Sequence, residues 1–309
     1  MRLFVKKFIL IIILTFNYSN LNANENVKIV LKINEEIITN FDIQNEYNYL
    51  VALNNDFKKI PKKKALKIAS NSLIKEKIKK IEIEKYYDLS KELETLPNII
   101  KNLYRNIGVK NINEFKNYLK KYNLNYLDVR KKLNIETTWN SLIYTRYNDQ
   151  VKIDSKKLKK ILLTQKSEQN SYLISEILFN KDIEESIIEK YKKIKVSIKK
   201  NGFKNSANIY SIAESAKLGG KVGWINESQF SKEIVLKIKK IKIGQYTDPI
   251  TLPSGNLILM LEDIKKVKSN LDVDKELKIL VNYERNKQLN QLSNIFFNKI
   301  KNNTLINEI

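Results

Sequence analysis

Gly219-Gly220-Lys221-Val222-Gly223-Trp224 is the stretch on which the reading of this chain turns. Closely spaced glycines permit positive φ and close backbone approach, so the segment reads as a loop becoming a strand. Upstream, Tyr172-Leu173-Ile174-Ser175-Glu176-Ile177-Leu178-Phe179 reads as a β-strand. Ile187, Ile188, Tyr191, Ile194 and Ile198 are then spaced for one buried face and predict a helix from Ile183 to Asn201, ended by Gly202-Phe203. Downstream, Phe230 and Ile234 lead a short helix to Ile241. The glycine turn Lys242–Ile250 and the strand Ser254–Leu261 close the unit, and Ile264–Asn270 reads as a lysine-bearing connector. Strand, helix, helix, glycine turn and two closing strands make a small α+β domain.

The rest of the chain is read against that unit. There is no cysteine and no histidine in 309 residues, and only 7 glycines and 4 prolines, which favours long helices over an all-β architecture. Arg2, Lys6 and Lys7 precede an apolar run from Phe8 to Phe16, and Leu21-Asn22-Ala23 offers a small residue at a cleavage point, the layout of a secretory signal peptide. The run is shorter than the ~20 residues that a span needs. Export is therefore expected, without disulfides, without a lipid-bearing cysteine and with no transmembrane segment in the mature form. The net charge of +23 is spread along a Lys-, Asn- and Ile-rich chain. Composition explains it without a nucleic-acid motif, and no specific nucleic acid, cofactor or metal ion is expected as a partner.

Val27–Ile33 alternates as a short strand does, and Ile37-Ile38 continues it after the turn Asn34-Glu35-Glu36. Thr39 with Asp42 forms an acidic variant of the capping box, flanked by the staple Ile38/Ile43, and predicts a helix to about Leu53. Pro61 opens a second helix, striped by Leu66, Ala69, Leu73, Ile74, Ile78 and Ile81. Shorter helices are expected near Glu92–Asn106, ending at Gly108, and near Asn113–Lys121, capped by Asn113. Tyr126–Tyr147 follows with Trp139 as a core anchor. From Leu271 the sequence is helical again, with Leu277, Ile279, Leu280, Leu289, Leu292, Ile295, Phe296 and Ile300.

Two resemblances follow from these residues. Lys32–Ile43, as an opening strand-turn-helix, Leu73-Ile74 in a long second helix and Trp139–Ile143 before a return to Val151-Lys152-Ile153 resemble the N-terminal domain of the SurA family of periplasmic chaperones, and imply a periplasmic location. Tyr172–Asp263 resembles a parvulin (PpiC-type) prolyl isomerase domain. The resemblance implies an α+β chain. Residues 1–23 are expected to be the signal peptide, 24–166 a helical SurA-like domain and 167–267 the parvulin-like domain. Residues 268–309 would be a C-terminal helix packing back on the helical domain.

Parvulins are associated with two histidines and a cysteine or aspartate around the proline. Here Glu176 stands at the first histidine, Leu257 at the second and Ala213 at the cysteine or aspartate. Ser254 is kept as a hydroxyl, and Glu176 and Ser254 are the candidate catalytic residues. Ala213, Trp224, Phe230, Ile234 and Leu257 are the expected proline and peptide pocket. Phe230 and Ile234 also read simply as core residues, and Glu176 as an exposed or salt-bridged surface carboxylate.

Rotation about X–Pro crosses a barrier near ~20 kcal/mol without moving a proton, so an apolar pocket alone can catalyse it. The resemblance implies a chaperone for unfolded or extended chains, outer-membrane β-barrel proteins among them, with a weak or inactive isomerase. The alternative is an active peptidyl-prolyl isomerase acting on exported proteins. A basic nucleic-acid or envelope-surface binder rests on charge alone. Removal of residues 168–267 is expected to leave much of the chaperone activity.

Overall fold

The computed structural model describes residues 27–163, 168–180, 185–252, 254–268 and 273–309. The expected signal peptide and its cleavage point lie outside these residues. The fold is α+β, a helical body carrying a small three-stranded sheet beside a unit built on a four-stranded sheet. Among the described residues no helix is long and apolar enough to cross a membrane.

The chain opens with β1 (Ile29–Ile33) and β2 (Glu36–Thr39), an antiparallel hairpin turned at Asn34, whose φ of 50° lies in the left-handed region that asparagine tolerates. Thr39 and Asp42 make the reciprocal capping box of α1 (Asn40–Leu53), with Asp42 N–H donating to Thr39 Oγ1 at 3.2 Å and Thr39 N–H to Asp42 Oδ2 at 2.8 Å. Ile38 and Ile43 are both buried beside it, as a staple requires. Pro61 precedes α2 (Lys62–Ile83), and α1 packs on α2 through Leu50, Ala65, Ala69 and Ile78.

α3 (Leu96–Asn106) and α4 (Ile112–Lys120) follow. The second of these is capped by Asn111, which accepts from Glu114 N–H at 2.9 Å, and not by Asn113. Two asparagines two residues apart are equivalent in composition, and only the one preceding Glu114 by three reaches the N3 amide. α5 (Tyr126–Tyr147) buries Trp139 completely. α6 (Ser155–Leu163) leads out of the body.

β3 (Glu168–Phe179), α7 (Ile187–Tyr210), β4 (Lys221–Asn226), α8 (Lys232–Ile238), β5 (Ile250–Leu252) and β6 (Gly255–Lys268) form the second unit. Its sheet runs β4-β3-β6-β5, every neighbouring pair antiparallel. The two faces of β3 part cleanly. Tyr172, Ile174 and Leu178 join one apolar cluster under α8, and Ile177 and Phe179 join another under α7.

Three expectations are corrected here. α7 does not end at Gly202 but kinks there, at φ 80° and ψ 164°, and resumes to Tyr210. Its apolar stripe meets the sheet only from Tyr191 onward, and Ile188 is 67% exposed. Ile264–Lys268 is no connector, because β6 continues through it, paired with 168–172 of β3.

α9 (Val273–Asn302) returns along α6, α5 and α2. Phe296 stacks on Trp139 at 5.6 Å between ring centroids, and the indole Nε1–H donates to Ser293 Oγ at 2.9 Å. Ile279 and Ile295 of the expected stripe face solvent instead. β7 (Ile306–Glu308) adds to β1 as a third strand, and Asn34 N–H donates to the Leu305 carbonyl at 3.0 Å. The last residues of the chain are thus tied to the first described ones.

Candidate functional site

Two concave regions could meet a polypeptide. The first is the face of the sheet under α8. Ala213, Phe230, Ile234 and Leu257 converge there on the cluster of Tyr172, Ile174 and Leu178. Phe230 lies 6.3 Å from Tyr172 between centroids, and the Tyr172 hydroxyl donates to Glu227 Oε2 at 2.7 Å. Leu257 pairs with Leu178 across one edge of β6 and with Ile250 across the other. Ser254 sits apart, part-exposed in the turn between β5 and β6. Trp224 is also apart. Strand alternation turns Ile225 to the cluster and leaves Trp224 41% exposed on the opposite face, under the ammonium of Lys265 at 4.1 Å from its ring centre.

Glu176 is neither a free surface carboxylate nor an ion-paired one. It shares its face of β3 with Ile174 and Leu178, so parity turns it toward the interior. Its Oε1 accepts from the Ser215 hydroxyl at 2.9 Å. Burial pushes its carboxyl above the ordinary range, against the opposing pull of the Ser215 hydrogen bond. Tyr283 of α9 packs on the same apolar cluster, and burial together with the charge of Glu176 raises its phenol to about 12.

The glycine element holds this arrangement in place. Glu176 N–H donates to the Gly220 carbonyl at 2.7 Å, and a Cβ on Gly220 would lie 2.2 Å from the Glu176 carbonyl oxygen. Only glycine, at φ 80°, lets β4 begin this close to β3. Ser211 fixes the other end of the loop, accepting from Leu178 N–H at 3.1 Å.

The second region is a cleft of about 1480 Å³ between the helical body and the sheet unit. α1, α2, α3 and α5 line one side, residues 208–218 line the other, and α9 contributes Phe297 and Lys301. Its apolar surface includes Leu53, Ile74 and Ile212, together with Ile99 and Tyr144, which are 38% and 49% exposed.

A buried charge network joins the two sides. Lys79 of α2, 2% exposed, meets Glu136 of α5 at 2.5 Å and Glu214 of the sheet unit at 3.3 Å. Lys217, three residues beyond Glu214, also meets Glu136, at 3.2 Å. Burial alone would raise the Glu136 carboxyl, yet Lys79, Lys217 and Lys75 together hold it well below the usual carboxylate range. Deeper in the body Lys132 bridges Glu46, at 2.7 Å, and Glu76. Asparagines add neutral bonds across the same interface. Asn54 donates to Asn208 Oδ1 at 2.7 Å, and Asn205 donates to the Asp56 carbonyl at 2.9 Å. None of these residues was singled out in the sequence. In a chain so rich in lysine and asparagine, the interface ones look like all the others. The one available signal was the pair Glu214 and Lys217, charged residues inside the loop just before the glycine element.

With this geometry in view, comparison with known proteins gives the class. Residues 161–263 match the family model of the rotamase PPIC-type PPIASE domain, one third of the chain. The segment is a PpiC-type domain. Two curated relatives are both called chaperone SurA. That of Pseudomonas aeruginosa is 21% identical over 162 residues, covering 49% of this chain and 39% of the relative. That of Pseudomonas putida is 23% identical over 172 residues, covering 52% and 40%. The chain thus spans about two fifths of the length of the curated relatives it matches. Among solved structures, one described as a SurA-like chaperone of Campylobacter jejuni aligns over 91% of this chain and 98% of its own, at 17% identity and a TM-score of 0.34.

Proposed function

We propose that this protein is a periplasmic chaperone that holds unfolded or extended polypeptides, with outer-membrane β-barrel proteins as its clients, and that its PpiC-type domain is a weak or inactive isomerase. In this reading residues 1–23 direct export, 24–166 and 268–309 form the client-holding body, and 167–267 wall the cleft. The observation that carries it is the cleft itself. It is large enough for several side chains of an extended segment, it is apolar over much of its wall, and some of that apolar surface is exposed. The SurA names of the relatives point the same way.

Because residues 208–218 line the cleft and carry Glu214 and Lys217, removing 168–267 would delete one wall and take Glu214 from Lys79 and Lys217 from Glu136. That deletion is therefore a poor test, and point substitutions in the cleft are better. Suppression of aggregation of an unfolded β-barrel protein should fall about tenfold in Ile99→Ser/Tyr144→Ser, whose side chains are exposed and whose loss spares the core. Undiminished suppression by a folded double variant would refute the cleft as the holding site.

A second reading rests on Ala213, Phe230, Ile234 and Leu257 sharing one apolar cluster. Such a surface can stabilise a twisted X–Pro amide by desolvation alone. Its residual polar group is Glu176, whose carboxyl burial pushes above the ordinary range. A protease-coupled proline-peptide assay distinguishes the readings. Isomerisation well above background that disappears in Phe230→Ala would establish the enzyme.

A further inference from the structure

Lys75, midway along α2, is a cation of the cleft with no carboxylate beside it among the described residues. Lys79, Lys132 and Lys217 each meet at least one carboxylate within 4 Å, whereas among the described residues Lys75 meets none. Lys75 stands one turn before Lys79 on α2, lines the cleft, and has its ammonium 5.8 Å from the ring centre of Phe297. The nearby carboxylates are already engaged, Glu136 by Lys79 and Lys217, and Glu214 by Lys79. The imbalance extends to the whole lining, where six lysines face three glutamates. Burial, with Lys79 and Lys217 adding repulsion against the pull of Glu136 and Glu214, brings the Lys75 ammonium down to about 8.

Lys75 is part-buried, and a carboxylate brought to an ammonium in so apolar a cleft forms a charge-assisted hydrogen bond, stronger there than in open water. Phe297 and Ile74 flank the site, so the group that carries the carboxylate must be apolar next to it. We propose that Lys75 is a carboxylate-recognition point, by which the cleft prefers chain segments with an acidic side chain or a free C-terminus beside an apolar residue. This rests on the cleft being the client site. Two bland alternatives make different demands. A diffuse positive field would not depend on one lysine, and a purely structural Lys75 would not discriminate between ligands.

The test is fluorescence anisotropy of the full chain with three labelled aromatic-rich octapeptides of one sequence. The first is amide-ended and neutral, the second ends in a free carboxylate, and the third is amide-ended with one internal aspartate. Wild type should bind at least one carboxylate peptide about tenfold more tightly than the neutral one, the equivalent of ~1.4 kcal/mol. Whichever peptide shows it identifies the source of the carboxylate. Lys75→Met should abolish the preference, and Lys91→Met, an exposed lysine that does not line the cleft, should keep it. Equal binding of all three peptides by wild type would overturn the inference and leave the holding function standing. Preference surviving in Lys75→Met, or lost equally in Lys91→Met, would overturn the assignment to Lys75. Failure of every peptide to bind would overturn the cleft reading and this inference together.

Discussion

The sheet face under α8 and the cleft beside it are both apolar hollows, and they differ in what polar chemistry is left inside them. The face is nearly filled by its own side chains. Beside it Glu176, a part-buried carboxyl, accepts from the Ser215 hydroxyl. The cleft is open, its apolar residues are partly wet, and it holds a network of ion pairs with lysine in excess of glutamate. A catalyst for X–Pro rotation needs groups fixed more favourably around the twisted amide than around the planar one. A holding surface needs area and modest selectivity. The proposed function assigns holding to the second region, and the isomerase assay tests the first.

The largest effect should come from the network that keeps the cleft in shape. Removing one member of a buried ion pair leaves an uncompensated charge, at a cost of about 3–5 kcal/mol. Glu136→Gln takes the ion-pair partner from Lys217 and leaves Lys79 with Glu214 alone, so chemical denaturation should show a loss of this size. A loss under about 1 kcal/mol would mean that the two units are not locked by charge. Phe230→Ala, on the part-buried rim of the sheet face, should leave aggregation suppression within about twofold of wild type. Tenfold loss there would move client holding from the cleft to the proline face.

The smallest effect belongs to Glu176 and depends on pH. Its folded carboxyl titrates above the unfolded one, so the folded state binds more protons between the two values, and stability falls as pH rises through that window. Glu176→Gln removes this term. The variant should equal or exceed wild type in stability at neutral pH, with the gap closing as pH falls toward 4. A variant less stable than wild type at pH 7 would show that the charged carboxylate is favourable where it sits.

Much of the scaffold was legible in the sequence because its signals are local. The Thr39/Asp42 box, the Tyr126–Tyr147 helix and the Gly219-Gly220 turn each depend on residues within a few positions of one another. The stripe of α7 misled, because periodicity gives a face but not how far the face extends over its partner, and Ile188 projects into water. Glu176 was misread by weighing its chemistry over its parity, since Ile174 and Leu178 on either side of it already marked an inward face. The cleft was not legible at all. Its walls come from segments more than a hundred residues apart, and Lys79, Glu136 and Lys217 acquire meaning only when α2, α5 and the loop before β4 meet.

The most direct test of the account sets the two regions against each other in one assay, suppression of aggregation of an unfolded β-barrel protein by wild type, Ile99→Ser/Tyr144→Ser and Phe230→Ala at equal concentration. The cleft variant should lose about tenfold, and the proline-face variant should stay close to wild type. Loss confined to Phe230→Ala would contradict the account.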